Sequence, residues 1–231
     1  MKFSELAAEP IGRNQTLNPK IWQDGRVRPE VRAALLKIAQ DFEQFIDVPI
    51  QVEDIIIAGA QANLTYSEYS DLDLHLVVDY STVDCAREAA ELFDSKRLLF
   101  KEKHRIEIRG IPVEPGVEDL RNPTVSAAYS LIKNQWLREP QKTPPEYDRA
   151  EVERWTDIWT RMIQAATQSQ SLPAARSVLK LLRKYRKLGL SQPRGEFSIP
   201  NLVYKSLRNS QDIADLQHLV DRLHDQELSV K

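Results

Sequence analysis

The stretch that decides how this chain folds runs from residue 55 to residue 78: Ile-Ile-Ile-Ala58-Gly59-Ala60-Gln61-Ala62-Asn63-Leu-Thr-Tyr-Ser-Glu-Tyr69-Ser70-Asp71-Leu72-Asp73-Leu74-His75-Leu76-Val-Val78. Its β-branched beginning, continued upstream to Ile50, reads as a strand that ends at Gly59. Residues 71–78 alternate polar with apolar and read as a second strand. The segment between them, 60–70, is small, polar and tyrosine-bearing, as a connecting loop should be. On a strand, residues two apart share a face, so Asp71, Asp73 and His75 point one way while Leu72, Leu74 and Leu76 point into a core. Neighbouring carboxylates repel, and a shared proton or a divalent cation offsets that repulsion. The same acidic-apolar-acidic pattern also reads as an ordinary solvated strand face. A third carboxylate, Glu114, follows in the extended segment Ile-Pro-Val-Glu-Pro-Gly-Val, with Glu107 of Arg-Ile-Glu-Ile-Arg as the alternative.

Working outward, the chain has 231 residues, of which 42% are hydrophobic and 29% charged, which excludes a disordered tail and allows one domain or two small ones. Its 34 acidic and 32 basic residues leave a formal charge of −2, which excludes a surface that is basic throughout. The single cysteine, Cys85, excludes an internal disulfide and a cysteine-rich zinc site, and it fits a reducing, cytoplasmic compartment. Cys85 itself reads as a packing residue. Neither a secretory signal nor an apolar run of about 18 residues is present, so no membrane partner is expected.

Residues 1–28 read as an irregular arm broken by Pro10, Gly12, Pro19 and Gly25. Residues 29–46 carry Val31, Leu35, Ile38, Phe42 and Phe45 at helical spacing. A short helix is expected over Thr82–Asp94, then two extended pieces around Gly110. From residue 121 the expectation is helical. One helix opens at Asn122-Pro123 and carries Ala128, Leu131, Ile132 and Trp136. Others carry Trp155 and Trp159, run from Ser171-Leu-Pro173 to Gly189, start at Pro200, and start at a Ser210 cap. The expected organisation is thus an arm (1–28), an α+β core (29–120) and a helical domain (121–231). Within the last, residues 172–208 hold nine basic residues against Glu196 alone, a local +8 that leaves −10 for the rest. Lys180, Arg183, Lys184, Arg186 and Lys187 lie opposite the Val178, Leu182, Tyr185 stripe. They form either a solvated face or a set of phosphate or nucleic-acid contacts.

The apolar strand ending in Gly59, the loop, and the Asp71-Leu-Asp73 triplet together resemble the signature of the DNA polymerase β nucleotidyltransferase superfamily. More narrowly, the chain resembles the small nucleotidyltransferase-like proteins of large tailed bacteriophages. That resemblance extends over the Leu17-Asn-Pro-Lys-Ile-Trp22 arm, Val113-Glu114 and the Gly195-Glu-Phe-Ser-Ile-Pro-Asn-Leu-Val-Tyr-Lys-Ser-Leu-Arg208 segment. It implies a short mixed sheet flanked by helices, with a helical C-terminal domain. It also implies transfer of a nucleoside monophosphate from a nucleoside triphosphate to a hydroxyl of a nucleic acid (RNA or DNA), a nucleotide or a protein, with release of pyrophosphate. By that resemblance Asp71, Asp73 and Glu114 hold two Mg2+ ions, or Mn2+, and are catalytic, while Gly59, Ala60, Gln61, Asn63, Tyr69 and Ser70 border the nucleotide. Ala60 stands where the family has a serine or a second glycine, which leaves backbone N–H groups of 59–61 for phosphate. A catalytically degenerate member that binds nucleic acid or a partner protein through its basic helices is the alternative.

Overall fold

The computed structural model describes residues 14–83, 86–123, 126–140 and 146–229, and these fall into two compact units, 14–140 and 146–229. Cys85 and the part of the expected arm before residue 14 lie outside the described residues. No helix among the described residues is long and apolar enough to cross a membrane.

In the first unit, a two-residue ribbon of β1 (Trp22–Gln23) and β2 (Arg26–Val27) leads into α1 (Pro29–Ile46). Proline suits the first helical position, where a backbone N–H has no intrahelical partner. Val31, Leu35, Ile38, Ala39, Phe42 and Ile46 are buried along one face of α1. At about 1.5–3 kcal/mol for each large side chain, that burial outweighs helix propensity in holding the element.

The sheet has six strands: β3 (Val52–Ala58), β4 (Leu72–Val78), β5 (Glu107–Ile108), β6 (Ile111–Asp119), β7 (Ala128–Ser130) and β8 (Gln135–Arg138). Their order is β5-β6-β4-β3-β7-β8. Neighbours are antiparallel except β4 and β6, which are parallel and therefore need a crossover, supplied by α2 (Ala86–Lys103). Leu72, Leu74, Leu76 and Val78 pack with Phe42, Phe93 and Phe100 from the two helices. Ile56, Ala58, Val77 and Ala128 form a separate small cluster, as period-two alternation requires of side chains on the opposite face.

Three local expectations in the first unit are corrected. The helix expected from Asn122-Pro123 is instead the antiparallel pair β7 and β8, so the sheet unit continues past residue 120. Tyr129, fully buried in β7, pairs in register with Ile57 of β3, and Asn134 turns the chain at φ 54°. Apolar spacing over so short a run suits either period, and pairing with β3 decides it. The arm is not irregular throughout: Trp22 is buried, stacks on Trp136 at 4.7 Å and meets Tyr129 edge-on at 5.1 Å. Finally, α2 extends nine residues beyond Asp94 to Lys103, along β6.

The second unit comprises α3 (Arg149–Ser169), α4 (Leu172–Leu190), α5 (Ile199–Asn209) and α6 (Asp212–Leu228). Asp148 caps α3 by accepting the Glu151 N–H at 3.0 Å, and Ser171 caps α4. The N-cap of α6 is Gln211 rather than the expected Ser210, whose hydroxyl instead donates to Asp212 at 2.6 Å. Trp159, Ile163, Leu179, Leu182, Leu202, Leu207, Leu216 and Leu219 fill the core of this unit. A Cβ at Gly189 would stand 2.6 Å from Ser198 Oγ and 2.8 Å from Pro200 Cβ, so glycine lets the end of α4 meet the start of α5. Asn201 donates to the Glu196 carbonyl at 2.7 Å, which ties the Gly195–Phe197 turn to α5.

Candidate functional site

Leucines 72, 74 and 76 are anchored under the helices, so the strand's alternation turns Asp73 and His75 to the other face of the sheet. Asp71 immediately precedes β4 and keeps the same two-residue spacing. Across the parallel pair, Asp73 stands in register with Glu114, His75 with Gly116 and Val77 with Glu118. Glu114 is thus the carboxylate that the sheet sets beside Asp73. Glu107 lies one strand further out, exposed on β5 and opposite Pro112. Pro115 and Gly116 do not end the strand, because β6 runs on to Asp119. Beyond Val113, whose N–H donates to the Ile106 carbonyl at 2.9 Å, β6 pairs with no further β5 residue, and an edge tolerates proline. A Cβ at Gly116 would lie 3.3 Å from the His75 ring, which glycine leaves room for. That ring faces Glu118, with Nδ1 at 2.9 Å from Oε2.

Gly59 closes the other side. It has φ 69° and ψ −154°, a conformation open essentially to glycine alone, and a Cβ there would collide with the Asp73 carboxylate oxygen. Residues Ala60–Ala62 then form a 3₁₀ turn. Gln61 is buried and fully engaged: its Nε2 donates to the Ser70 carbonyl at 2.9 Å, its Oε1 accepts from Asn18 at 3.0 Å, and its backbone carbonyl accepts from the Trp22 indole at 2.7 Å. Asn63 is buried and accepts from the Leu64 N–H at 2.9 Å, while Ser70 accepts from the Ser67 N–H at 2.9 Å. The side chains of Gln61, Asn63 and Ser70 therefore brace the loop. Gly59 and Ala60 are half-exposed and Tyr69 is exposed.

Two cations from α2 complete the edge. Lys101 makes an ion pair with Glu114. One turn earlier, Arg97 holds Asp94 through Nε at 3.0 Å and Nη2 at 2.7 Å. Burial, with Asp119, Glu118 and Asp94 nearby, pushes the Tyr80 phenol up to about 12. Its hydroxyl donates to the Val117 carbonyl at 3.1 Å. Lys101 and Arg97 escaped the sequence reading because α2 was expected to end at Asp94. Their spacing of four, a single helical turn, was the signal available.

Three carboxylates with hard oxygen donors on neighbouring backbone positions have the chemistry of a Mg2+ or Mn2+ site. As the side chains lie, no group of three His, Cys, Asp or Glu residues among the described residues converges closely enough to hold an ion. The Glu114 carboxylate is engaged by Lys101 instead.

In the second unit, Lys180, Arg183, Lys184 and Lys187 are exposed on α4, and Arg183 also donates to Gln217 at 2.8 Å. Arg186 is not with them: half-buried, it lies over the Tyr204 ring at 4.4 Å and contacts Asn201 at 3.3 Å.

No protein-family model matches the chain, and no curated protein matches it. Among solved structures, it is similar to a STING-associated CdnE c-di-GMP synthase from Capnocytophaga granulosa, at 12% identity over 87% of this chain and 83% of that one. The TM-score is 0.21, too low for the likeness to carry an argument.

Proposed function

We propose that the first unit is a divalent-cation-dependent nucleotidyltransferase site, which moves a nucleoside monophosphate from a nucleoside triphosphate to an acceptor hydroxyl and releases pyrophosphate. The observation that carries this reading is the register of Asp73 with Glu114, together with Gly59 set against the Asp73 carboxylate. Asp71, Asp73 and Glu114 are the residues to hold Mg2+ or Mn2+, which supplies Lewis-acid stabilisation of charge in an in-line phosphoryl displacement. The half-exposed backbone at Gly59 and Ala60, with the Tyr69 ring, would border the nucleotide. In the transfer, the acceptor oxygen forms a bond to the α-phosphorus as the bond to the bridging α,β-oxygen breaks. Pyrophosphate leaves, and the hydroxyl proton passes to a carboxylate of the site. The rest of the loop contributes rigidity, since Gln61 ties it to Asn18, Trp22 and Ser70.

A second reading, a degenerate member that binds RNA, DNA or a partner protein, draws support from two observations. The carboxylates do not converge as they lie, and α4 exposes Lys180, Arg183, Lys184 and Lys187 without one acidic residue in the helix.

Calorimetric titration with each nucleoside triphosphate, with Mg2+ and with chelator, separates the two. The enzyme reading expects Mg2+-dependent binding that Asp73→Asn abolishes, followed by transfer of α-phosphate label to an acceptor. Binding indifferent to Mg2+, or no binding at all, refutes it. The binding-module reading expects charge reversal at Lys180 and Lys184 to weaken association with nucleic acid, and unchanged affinity refutes that.

A further inference from the structure

The helical unit carries an apolar surface that neither functional reading uses. α3 and α4 form a hairpin through Gln170 and Ser171, and Tyr185 of α4 lies against Trp155 at 6.2 Å and Trp159 at 5.3 Å. Ile158 follows Trp155 by three residues, and Leu181 and Leu188 bracket Tyr185 at spacings of four and three, so each set shares a side of its helix. Trp155 and Tyr185 are half-buried, whereas Ile158, Met162, Leu181 and Leu188 are 37–55% exposed. The two rings thus form the floor of a trough and the aliphatic side chains its walls. A contiguous apolar surface left open to water marks a place of association. Its rims are cationic. Arg154 and Arg161 flank Ile158 at spacings of four and three on α3, and Lys184 sits between Leu181 and Leu188 on α4. All three are exposed, and α4 has no acidic residue to balance Lys184. Asp157 pairs with Arg161 at 2.7 Å. Burial, and after it the charge of Glu151, raises the Tyr185 phenol, which places that acid at one end of the trough.

We propose that the trough between α3 and α4 docks an amphipathic helix of a partner protein, with the partner's apolar stripe on the Trp155 and Tyr185 floor and acidic residues along both borders of that stripe. The inference goes beyond both functional readings, because it needs neither metal nor nucleotide and assigns Lys184 to a protein partner instead of nucleic acid. Charge complementarity selects the occupant. Basic rims repel a second copy of the same surface and attract acidic borders. A phosphate backbone would neutralise the cations but leave the aliphatic walls in water. A bilayer is met by a protruding apolar stripe, whereas here the aromatic floor is sunk between the walls. A helix with leucines at spacings of three and four fills a trough and reaches both rims.

The test is fluorescence anisotropy of the full chain with a labelled synthetic helix of about 18 residues, carrying leucines at spacings of three and four bordered by glutamates, and with a scrambled peptide of the same composition. The helix is expected to bind with a Kd below about 100 μM and the scrambled peptide at least about tenfold more weakly. Leu181→Ser and Leu188→Ser should each weaken binding about tenfold, and Lys184→Glu about fivefold, with the Lys184 effect shrinking at high salt. Leu228→Ser, at an exposed position at the end of α6, is the control and leaves affinity unchanged. The substituted side chains are exposed, so melting midpoints should hold, and Lys184→Glu keeps the test decisive if a leucine variant loses stability. No binding of the helix, equal binding of the scrambled peptide, or unchanged affinity in both leucine variants overturns the proposal. So does Leu181-dependent binding of an RNA oligonucleotide or of phosphatidylserine vesicles without binding of the helix. A dimer of the natural chain in sedimentation that Leu181→Ser dissolves also overturns it, since the occupant is then a second copy.

Discussion

Gly59 offers the sharpest test of the site's architecture. Replacing it with alanine forces a Cβ into a conformation of φ 69° and ψ −154° and into the Asp73 carboxylate. The backbone strain of such a residue costs about 1–3 kcal/mol, and forcing an extra methyl into a filled space costs about as much again. We expect Gly59→Ala to lose about 3 kcal/mol, a fall of roughly 10 °C in the melting midpoint for a unit of this size. Gly25→Ala is the control, because Gly25 also has positive φ, at 74°, but nothing lies within 4 Å of its added Cβ. It should lose only about 1 kcal/mol. Urea unfolding followed by circular dichroism gives both numbers. If the collision with Asp73 is the cause, Asp73→Ala relieves it, and the double variant should be about 1–2 kcal/mol more stable than additivity predicts. A Gly59→Ala variant within about 0.5 kcal/mol of the natural chain, or strict additivity with Asp73→Ala, refutes the close approach of glycine and carboxylate.

Two further outcomes follow from groups elsewhere in the first unit. Tyr80 is raised to about 12 in the folded chain against about 10 unfolded, so the folded state holds this proton more tightly. Stability from this group is complete below pH 10 and declines as pH rises from about 10 to about 12. Alkaline unfolding should show that slope, and Tyr80→Phe should flatten it. Asp54 is buried on β3, where its Oδ1 accepts from Ser130 Oγ at 2.7 Å and from the Ile55 N–H at 2.8 Å, and Lys133 stands 3.4 Å from Oδ2. Asp54→Ala removes the acceptor at the β3–β7 seam and should cost about 2–4 kcal/mol in urea unfolding. A loss below 0.5 kcal/mol would rule the network out as a support of that seam.

Much of the architecture was legible because it rests on local pattern. The α1 helix over residues 29–46 with its Val31, Leu35, Ile38 and Phe42 stripe, the Ser171 cap and the period-two face of β4 all appear as expected, since each depends on residues within a few positions of one another. Illegible were the features set by distant partners. Tyr129 is strand rather than helix because β3 offers it an unpaired edge, and Trp22 is core because Trp136, more than a hundred residues later, stacks on it. Gln61, Asn63 and Ser70 were placed by the resemblance in a loop bordering a nucleotide. Their side chains are bonded to Asn18 and to the loop's own backbone, partners that spacing alone does not reveal. Arg186 belonged to the basic series by composition, yet contact with Tyr204 and Asn201 removes it from the exposed set.

The sequence by itself determined which side chains share a face of β4, because the alternation of a strand needs no partner to define it. The choice of carboxylate beside Asp73 belonged to the tertiary structure. The local reading put Glu114 ahead of Glu107 without excluding the latter, and the parallel pairing of β4 with β6, made possible by the α2 crossover, brings in Glu114 and leaves Glu107 at the rim. The same crossover carries Lys101 to Glu114. Strand register is a long-range choice made by burying Leu72, Leu74, Leu76 and Val113 together, and a shift of one residue would turn Glu114 to the other face.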